Sequence, residues 1–333
     1  EGATRAIWHL AVNEDLRTAI TKSGGIAPLV ALLSSESEAT QQHTAAAVES
    51  LVSGHAENQI ALAKASAIGP LVNLLGAAST ETPDHAIRAL LHLASHFEEP
   101  RNTVVKHLVQ VLSMRNAAAQ MKSAEALAVL SRGSAENRKA ITDANAIEPL
   151  VMLLGDGRRV RAETPQERAA AVIAELARSG ENKASIVAVG GARPLVSMLS
   201  SDSVEAQKHA AAALWHLSAL RSNREPIATL GCIAPLVDLL SGTSSEAQKY
   251  AAGILWQLSS SADDRIAMVN AGAIPQLVEL LSSALGEARE HAAAVLSALA
   301  RSQGSNKKAV AAAGGIRPLI GLLNEKSRWA QMH

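Results

Sequence analysis

The 333-residue sequence is poor in aromatic residues, with one Phe, one Tyr and four Trp. That scarcity excludes a core of stacked rings. The interior must come from Leu, Val, Ile and Ala, and about one residue in five is Ala. Such a composition suits closely packed helices. There is one cysteine, Cys232, which excludes an intrachain disulfide framework and a Cys-based zinc site. Neither sign of charge is in excess: Lys+Arg is 31 and Asp+Glu is 31. A globally basic nucleic-acid binder and an acidic solvating tail are therefore excluded, and no nucleic-acid partner is expected. No apolar run reaches about 18 residues, so no membrane span is expected. The sequence carries no secretory signal and no Asn-x-Ser/Thr acceptor. The expected location is the cytoplasm, with the nucleus as the alternative. The chain begins Glu-Gly-Ala, without Met and inside a helical pattern, and reads as a segment of something longer.

What is present is repetition. The phrase Ile26-Ala27-Pro28-Leu29-Val30-Ala31-Leu32-Leu33 returns around Pro70, Pro149, Pro194, Pro235, Pro275 and Pro318. A degenerate copy places His107 where the proline would be. Subtraction gives steps of 42, 37, 42, 45, 41, 40 and 43 residues between these anchors. A helical period of roughly 40–47 points to a solenoid of stacked units. Each unit divides into three helices. The first is short and starts polar, as in Asn137-Arg138-Lys139-Ala140-Ile141. The second is led by the proline, which suits a first helical turn. The third is longer and rich in Ala, as from Ala206 to Leu217. Small residues such as Gly24-Gly25, Gly190-Gly191 and Gly314-Gly315 separate the first two and permit a sharp corner.

The link from second to third helix has nearly constant length. The pairs Leu29/Leu51, Leu71/Leu93, Leu108/Leu130, Leu195/Leu217, Leu236/Leu258 and Leu277/Leu299 are each 22 apart. Leu150/Leu176 is 26 apart, so an insertion lies in Gly155–Arg161. Leu93 to Leu108 is only 15, which predicts a short or absent first helix and a soft point near residues 96–107.

The three-helix unit, the Gly-Gly-Ile-x-Pro-Leu-Val-x-Leu-Leu phrase and the Ala-rich third helix resemble armadillo repeats over essentially the whole chain. The resemblance implies an all-α fold, a right-handed α-solenoid or superhelix of stacked three-helix repeats. The expected organisation is a single domain, 1–333. A third-helix remnant fills 1–12, about seven repeats fill 13–302, and a partial repeat fills 303–333. Several units, such as Glu287-Ala288-Arg289-Glu290-His291-Ala292 and Glu136-Asn137-Arg138-Lys139, are similar to plant U-box and vacuolar-adaptor armadillo repeats.

Repetition also explains residues that would otherwise suggest chemistry. His43, His85, His209 and His291 share one position in four different third helices, and Tyr250 fills it in a fifth. Neighbours there lie roughly 10 Å apart, too far for one metal ion. Asn58, Asn137, Asn182, Asn223 and Asn306, with Asp263, sit 12 residues before their anchors and are expected to be helix N-caps. Thr82-Pro83 and Thr164-Pro165 read as cap followed by first turn. Cys232 reads as a small buried thiol. Gly155-x-Gly157 lacks a third glycine and a preceding strand, so it is not a dinucleotide loop. No zinc-protease, calcium-loop or Walker motif occurs. No catalytic residue, cofactor or metal is expected.

In armadillo proteins the third helices line a concave groove, so the resemblance implies a protein or peptide partner there. Helical geometry offsets Trp215 from the core stripe of Leu214 and Leu217. The equivalent row is Trp8, Glu49, Leu91, Ala128, Ala174, Trp215, Trp256 and Ser297. Four residues later comes Val12, Ser53, Ser95, Arg132, Arg178, Ala219, Ser260 and Arg301. Importin-α-like proteins hold peptide backbones with Asn in the second row. Here that row has no Asn, which sets the chain apart from importin-α. Trp8, Trp215 and Trp256, with Lys208, Lys249, Arg132, Arg178, Arg301, Ser53, Ser95 and Ser260, are the candidate partner-binding residues. Trp and Arg dominate binding hot spots, and Arg pairs with carboxylates. A peptide with acidic and apolar anchors fits this set. Arg158, Arg159 and Arg161 form a second, basic-loop candidate for an acidic partner or anionic headgroups. The functional expectation is a non-catalytic interaction scaffold. The alternatives are the substrate-recognition region of a ubiquitin ligase or other multidomain enzyme, and a membrane-tethered adaptor.

Overall fold

The computed structural model describes residues 1–157 and 160–323, and among these every regular element is helical. The chain divides into two compact units, Glu1–Leu153 and Leu154–His333. In each, the three-helix pattern follows the sequence period. The unit around Pro194 shows it plainly: first helix Gly180–Ala188, second helix Ala192–Met198, third helix Val204–Ser218.

Local chemistry sets the boundaries. Third helices begin at polar caps: Ser37, Asn116, Thr164, Ser203 and Ser244 each accept a backbone N–H three residues on. The corner after the first helix needs one left-handed residue. Gly24, Gly190, Gly231, Gly272 and Gly314 supply it with φ between 77° and 86°, and Ser66 and Asn145 supply it at 62° and 58°. Every member of the seven leucine pairs is buried, so the 22-residue spacing shared by six of them is a packing constraint.

The short interval before Leu108 is absorbed by one continuous helix, Glu98–Leu112. First and second helices are fused there. His107 keeps the backbone N–H that an anchor proline would remove, and no glycine interrupts the run. Pro100 falls in the first turn, where its missing donor does no harm.

The insertion is pinned rather than loose over its described residues. Val160 is buried and its carbonyl accepts from Ser201 Oγ at 2.6 Å. A Cβ on Gly157 would stand 2.1 Å from the Pro194 carbonyl oxygen, so only glycine fits. Arg158 and Arg159 lie outside the described residues, and Arg161 is exposed.

Two capping expectations need correction. The recurrent asparagines are not N-caps. The caps stand three residues earlier, at His55, Ser134 and Ser179 for example. Asn58, Asn137, Asn182, Asn223 and Asn306 instead donate from Nδ2 to Leu51, Leu130, Leu176, Leu217 and Leu299 carbonyls at 2.9–3.1 Å. Each fastens its first helix to the unsatisfied end of the preceding third helix. The residue after the Asn often does the same: Gln59, Arg138 and Arg224 donate to Val52, Ser131 and Ser218 carbonyls. A guanidinium there also complements the helix dipole. In the unit of Pro275 the third helical position is Asp264, not Asp263, and Arg265 donates to the Ser259 carbonyl. The second correction concerns Thr82. Ser79 Oγ accepts the N–H groups of Glu81 and Thr82, and Thr82 lies buried inside the helix Glu81–Ser95. Thr164-Pro165 is a cap and first turn.

Candidate peptide-binding face

In the unit from Leu154, the third helices Pro165–Leu176, Val204–Ser218, Ser245–Leu258 and Gly286–Ser302 pack side by side. Alanines such as Ala210, Ala213 and Ala251 are fully buried between them and allow close approach. The Trp row faces outward from these contacts. Trp215 and Trp256 are half-buried, on consecutive helices.

Their setting is built by Gly253, which the sequence did not single out, and by His291, which it read only as a shared repeat position. A Cβ on Gly253 would lie 2.6 Å from Trp215 Cζ3, so the Trp215 ring crosses the next helix through the space glycine leaves. His291 stands near both indoles, 5.0 Å from Trp215 and stacked 5.9 Å from Trp256 between ring centroids. Burial lowers the proton affinity of His291, so it is neutral at physiological pH. Beside Trp215, burial together with Arg178, Lys183 and Lys249 pushes His216 down to about 4. Two neutral imidazoles thus accompany the tryptophans.

The predicted cations are partly committed. Lys208 pairs with Glu205, one turn earlier. Lys249 pairs with Glu287 of the next third helix at 3.3 Å and lies 4.6 Å above the Tyr250 ring. Arg178 is exposed and pairs with Glu175 at 3.2 Å. Arg301 is exposed and, among the described residues, has no hydrogen-bond or ion-pair partner. Ser260 is exposed, with its hydroxyl turned back to the Gln257 carbonyl at 3.3 Å.

A cavity of 640 Å³ opens at the carboxyl ends of these helices. Trp256, Ser260 and Arg301 line it together with Arg224 and Arg265. Those two arginines belong to first helices and were not among the predicted residues. The available signal was their recurrence after the Asn position.

In the unit ending at Leu153, Trp8 lies 6.0 Å from His43 and 6.1 Å from His85 between ring centroids. Glu49 fills the Trp position of the next helix. His85 Nδ1 lies 2.6 Å from Glu49 Oε2, and Arg88 Nε donates to Oε1 at 2.6 Å. Burial raises the Glu49 carboxyl, but these two hydrogen bonds outweigh it and hold the group below the usual carboxylate range. Ser53 is the C-cap residue of Glu38–Val52, and its carbonyl accepts from Arg17 Nη1. Ser95 Oγ donates to the His92 carbonyl, and Arg132 Nε to the Ala128 carbonyl. Hence Trp8, Ser53, Ser95 and Arg132 lie in one unit, and the remaining candidates in the other.

Cys232 is fully buried, and burial pushes its thiol up to about 12, so it stays protonated. Among the described residues no group of His, Cys, Asp and Glu could hold a metal, and no helix is long and apolar enough to cross a membrane.

The repeated three-helix unit and its stacked Ala-rich third helices define an armadillo repeat fold. Such a fold is typically a protein-binding scaffold and generally non-catalytic. The chain belongs to the plant U-box protein ARM repeat region family, whose model matches residues 103–323, and an armadillo/β-catenin-like repeat matches residues 13–53. Among solved structures it is similar to an engineered protein at 33% identity and TM-score 0.75, covering 99% of this chain and 82% of that one. A second engineered protein matches at 35% identity and TM-score 0.58, over 68% of this chain and 92% of its own. A designed armadillo repeat protein matches at 26% identity and TM-score 0.59, over 68% and 95%. No curated protein matches.

Proposed function

We propose that the chain is a non-catalytic scaffold that receives an extended or helical partner peptide along its third helices. The observation that carries this is the pair Trp215 and Trp256, held half-exposed on consecutive helices and flanked by Lys208, Lys249, Arg178 and Arg301. Large rings left half in water at the centre of a regular face are the usual anchors of recognition. Selection from a displayed random-peptide library tests it. The wild type should enrich sequences with apolar residues near acidic ones. The Trp215→Ala, Trp256→Ala, Arg178→Glu variant should not, while keeping its helical circular dichroism. Equal enrichment by a folded variant would sink the assignment.

A second reading is favoured by the family match: the chain is the substrate-recognition region of a ubiquitin ligase. Under it, the peptide belongs to a ligase substrate. The open reading frame of the parent protein, followed by a ubiquitylation assay, tests it. A parent with neither a U-box nor ligase activity would remove this reading and leave the scaffold reading standing.

A further inference from the structure

We infer that the cavity at the carboxyl ends of the third helices binds a phosphorylated side chain of the partner peptide, held by Arg224, Arg265 and Arg301 beside Trp256. This deepens the peptide-face reading and rests on it.

The cavity has three guanidiniums and no acidic residue in its lining. Ala219, Ser259 and Ser302, at the carboxyl ends of three third helices, form part of its wall. Each helix end contributes about half a negative charge. Within this lining three guanidiniums then leave about 1.5 positive charges, while the adjoining cavity that shares Arg224 and Ser260 adds Arg221, Glu225, Asp263 and Asp264. A phosphomonoester carries about −1.5 to −2 at neutral pH and closes that balance, whereas one carboxylate leaves a positive excess.

The donor inventory agrees. Arg224 uses Nε on the Ser218 carbonyl, and Arg265 uses Nη1 on the Ser259 and Ser260 carbonyls at 2.7 and 3.2 Å. These bonds fix both guanidiniums while leaving other N–H groups for a ligand. Arg301, on the third side, makes no hydrogen bond or ion pair among the described residues. The Ser259, Ser260 and Ser302 hydroxyls all donate back to backbone carbonyls. The site therefore offers guanidinium donors, which match the several acceptor oxygens of a phosphoryl group. Trp256 lines the cavity and also stands in the Trp row. A phosphorylated side chain can thus enter from a peptide lying on that row. A free anion would use only the arginines.

The test uses the full chain and degenerate nine-residue peptides with a fixed central residue: phosphoserine, phosphotyrosine, serine or glutamate. Anisotropy titration should show one phosphorylated set binding about tenfold tighter or more than the serine set, as charge-assisted bonds to a dianion require. Glutamate should fall between. Arg301→Gln should erase most of that advantage without lowering the thermal midpoint, since among the described residues Arg301 makes no hydrogen bond or ion pair. Arg224→Lys should reduce it in part. Equal binding of phosphorylated and unphosphorylated sets would overturn the phosphoryl inference and leave the peptide face intact. Failure of every set to bind would overturn both. A phosphate advantage that survives Arg301→Gln would place the group elsewhere and overturn the site. Inorganic phosphate or phosphatidylserine vesicles competing as well as the phosphopeptide would overturn the peptide source.

Discussion

Replacing Gly253 by Ala isolates the way one repeat shapes the binding face of another. In a helix interior the change should stabilise by about 1 kcal/mol, because glycine loses more backbone freedom on folding. Here the added methyl meets the Trp215 ring at 2.6 Å (Cζ3) and 2.7 Å (Cε3), and His291 at 3.1 Å. Ordinary carbon contact is near 3.5 Å, so the indole must retreat by about 0.9 Å. Overpacking of that kind costs about 1–3 kcal/mol. The two effects oppose, and the larger wins: we expect net destabilisation of about 1 kcal/mol. The ring should also tilt away from His291. Urea denaturation reads the first effect; near-ultraviolet circular dichroism and Trp emission read the second. In a Trp215→Leu background the same Gly253→Ala change should become stabilising, so the double-mutant cycle should show clear coupling. If Gly253→Ala stabilised the wild type by the full helical increment and left the Trp signals unchanged, the cross-repeat seating of Trp215 would be refuted.

Asn223→Ala should destabilise by about 1–3 kcal/mol, since it strips donors from the buried Leu217 carbonyl and from the Lys183 carbonyl. Denaturant midpoints compare it with Asn223→Asp, which keeps the shape but donates nothing. Ser66→Gly should stabilise by about 0.5–1 kcal/mol, because Ser66 holds φ at 62°, and an unchanged midpoint would show the corner is unstrained. His216 takes up its proton less readily folded than unfolded, down to about 4 from an ordinary 6.5. Protonation then favours the unfolded chain, so stability should be full above about pH 6.5 and decline toward pH 4. A thermal midpoint series on wild type and His216→Gln checks this, the variant showing the shallower decline.

Much of the fold was legible because armadillo packing leaves its mark at fixed intervals. The anchor prolines located every second helix but one, and the leucine spacing located the core. The exception, Glu98–Leu112, was legible as a deficit but not as a fusion. The decisive signals were the absence of proline at His107 and of a left-handed corner residue before it. The asparagines were misread because an N-cap and a bridge to the previous helix put the same residue near a helix start. Only the partner carbonyl, six or seven residues back, separates them. The Trp row could be drawn from helical periodicity alone. The roles of Gly253 and His291 could not, since their effect on Trp215 comes from other repeats, about 40 and about 80 residues away. Arg224 and Arg265 escaped notice because they sit on first helices, which geometry alone assigns to the far side of the unit.

The asparagine bridges bear on how such a chain is cut and lengthened. They join the last helix of one sequence repeat to the first helix of the next, across the point where the repeat is conventionally divided. A segment excised there would carry an open helix end on one side and an idle Asn on the other. The serine-rich stretches before the third helices, such as Ser200–Ser203, carry no Asn bridge; there Gln207 Nε2 donates to the Ser201 carbonyl at 2.8 Å, as Gln41 and Gln248 do to Ser35 and Gly242. Excision or duplication that starts just before the carbonyl accepting from Gln207 would keep that bond and every Asn bond to the preceding third helix. The cassette for grafting repeats in this protein therefore begins with the longest helix and ends with the proline-led one.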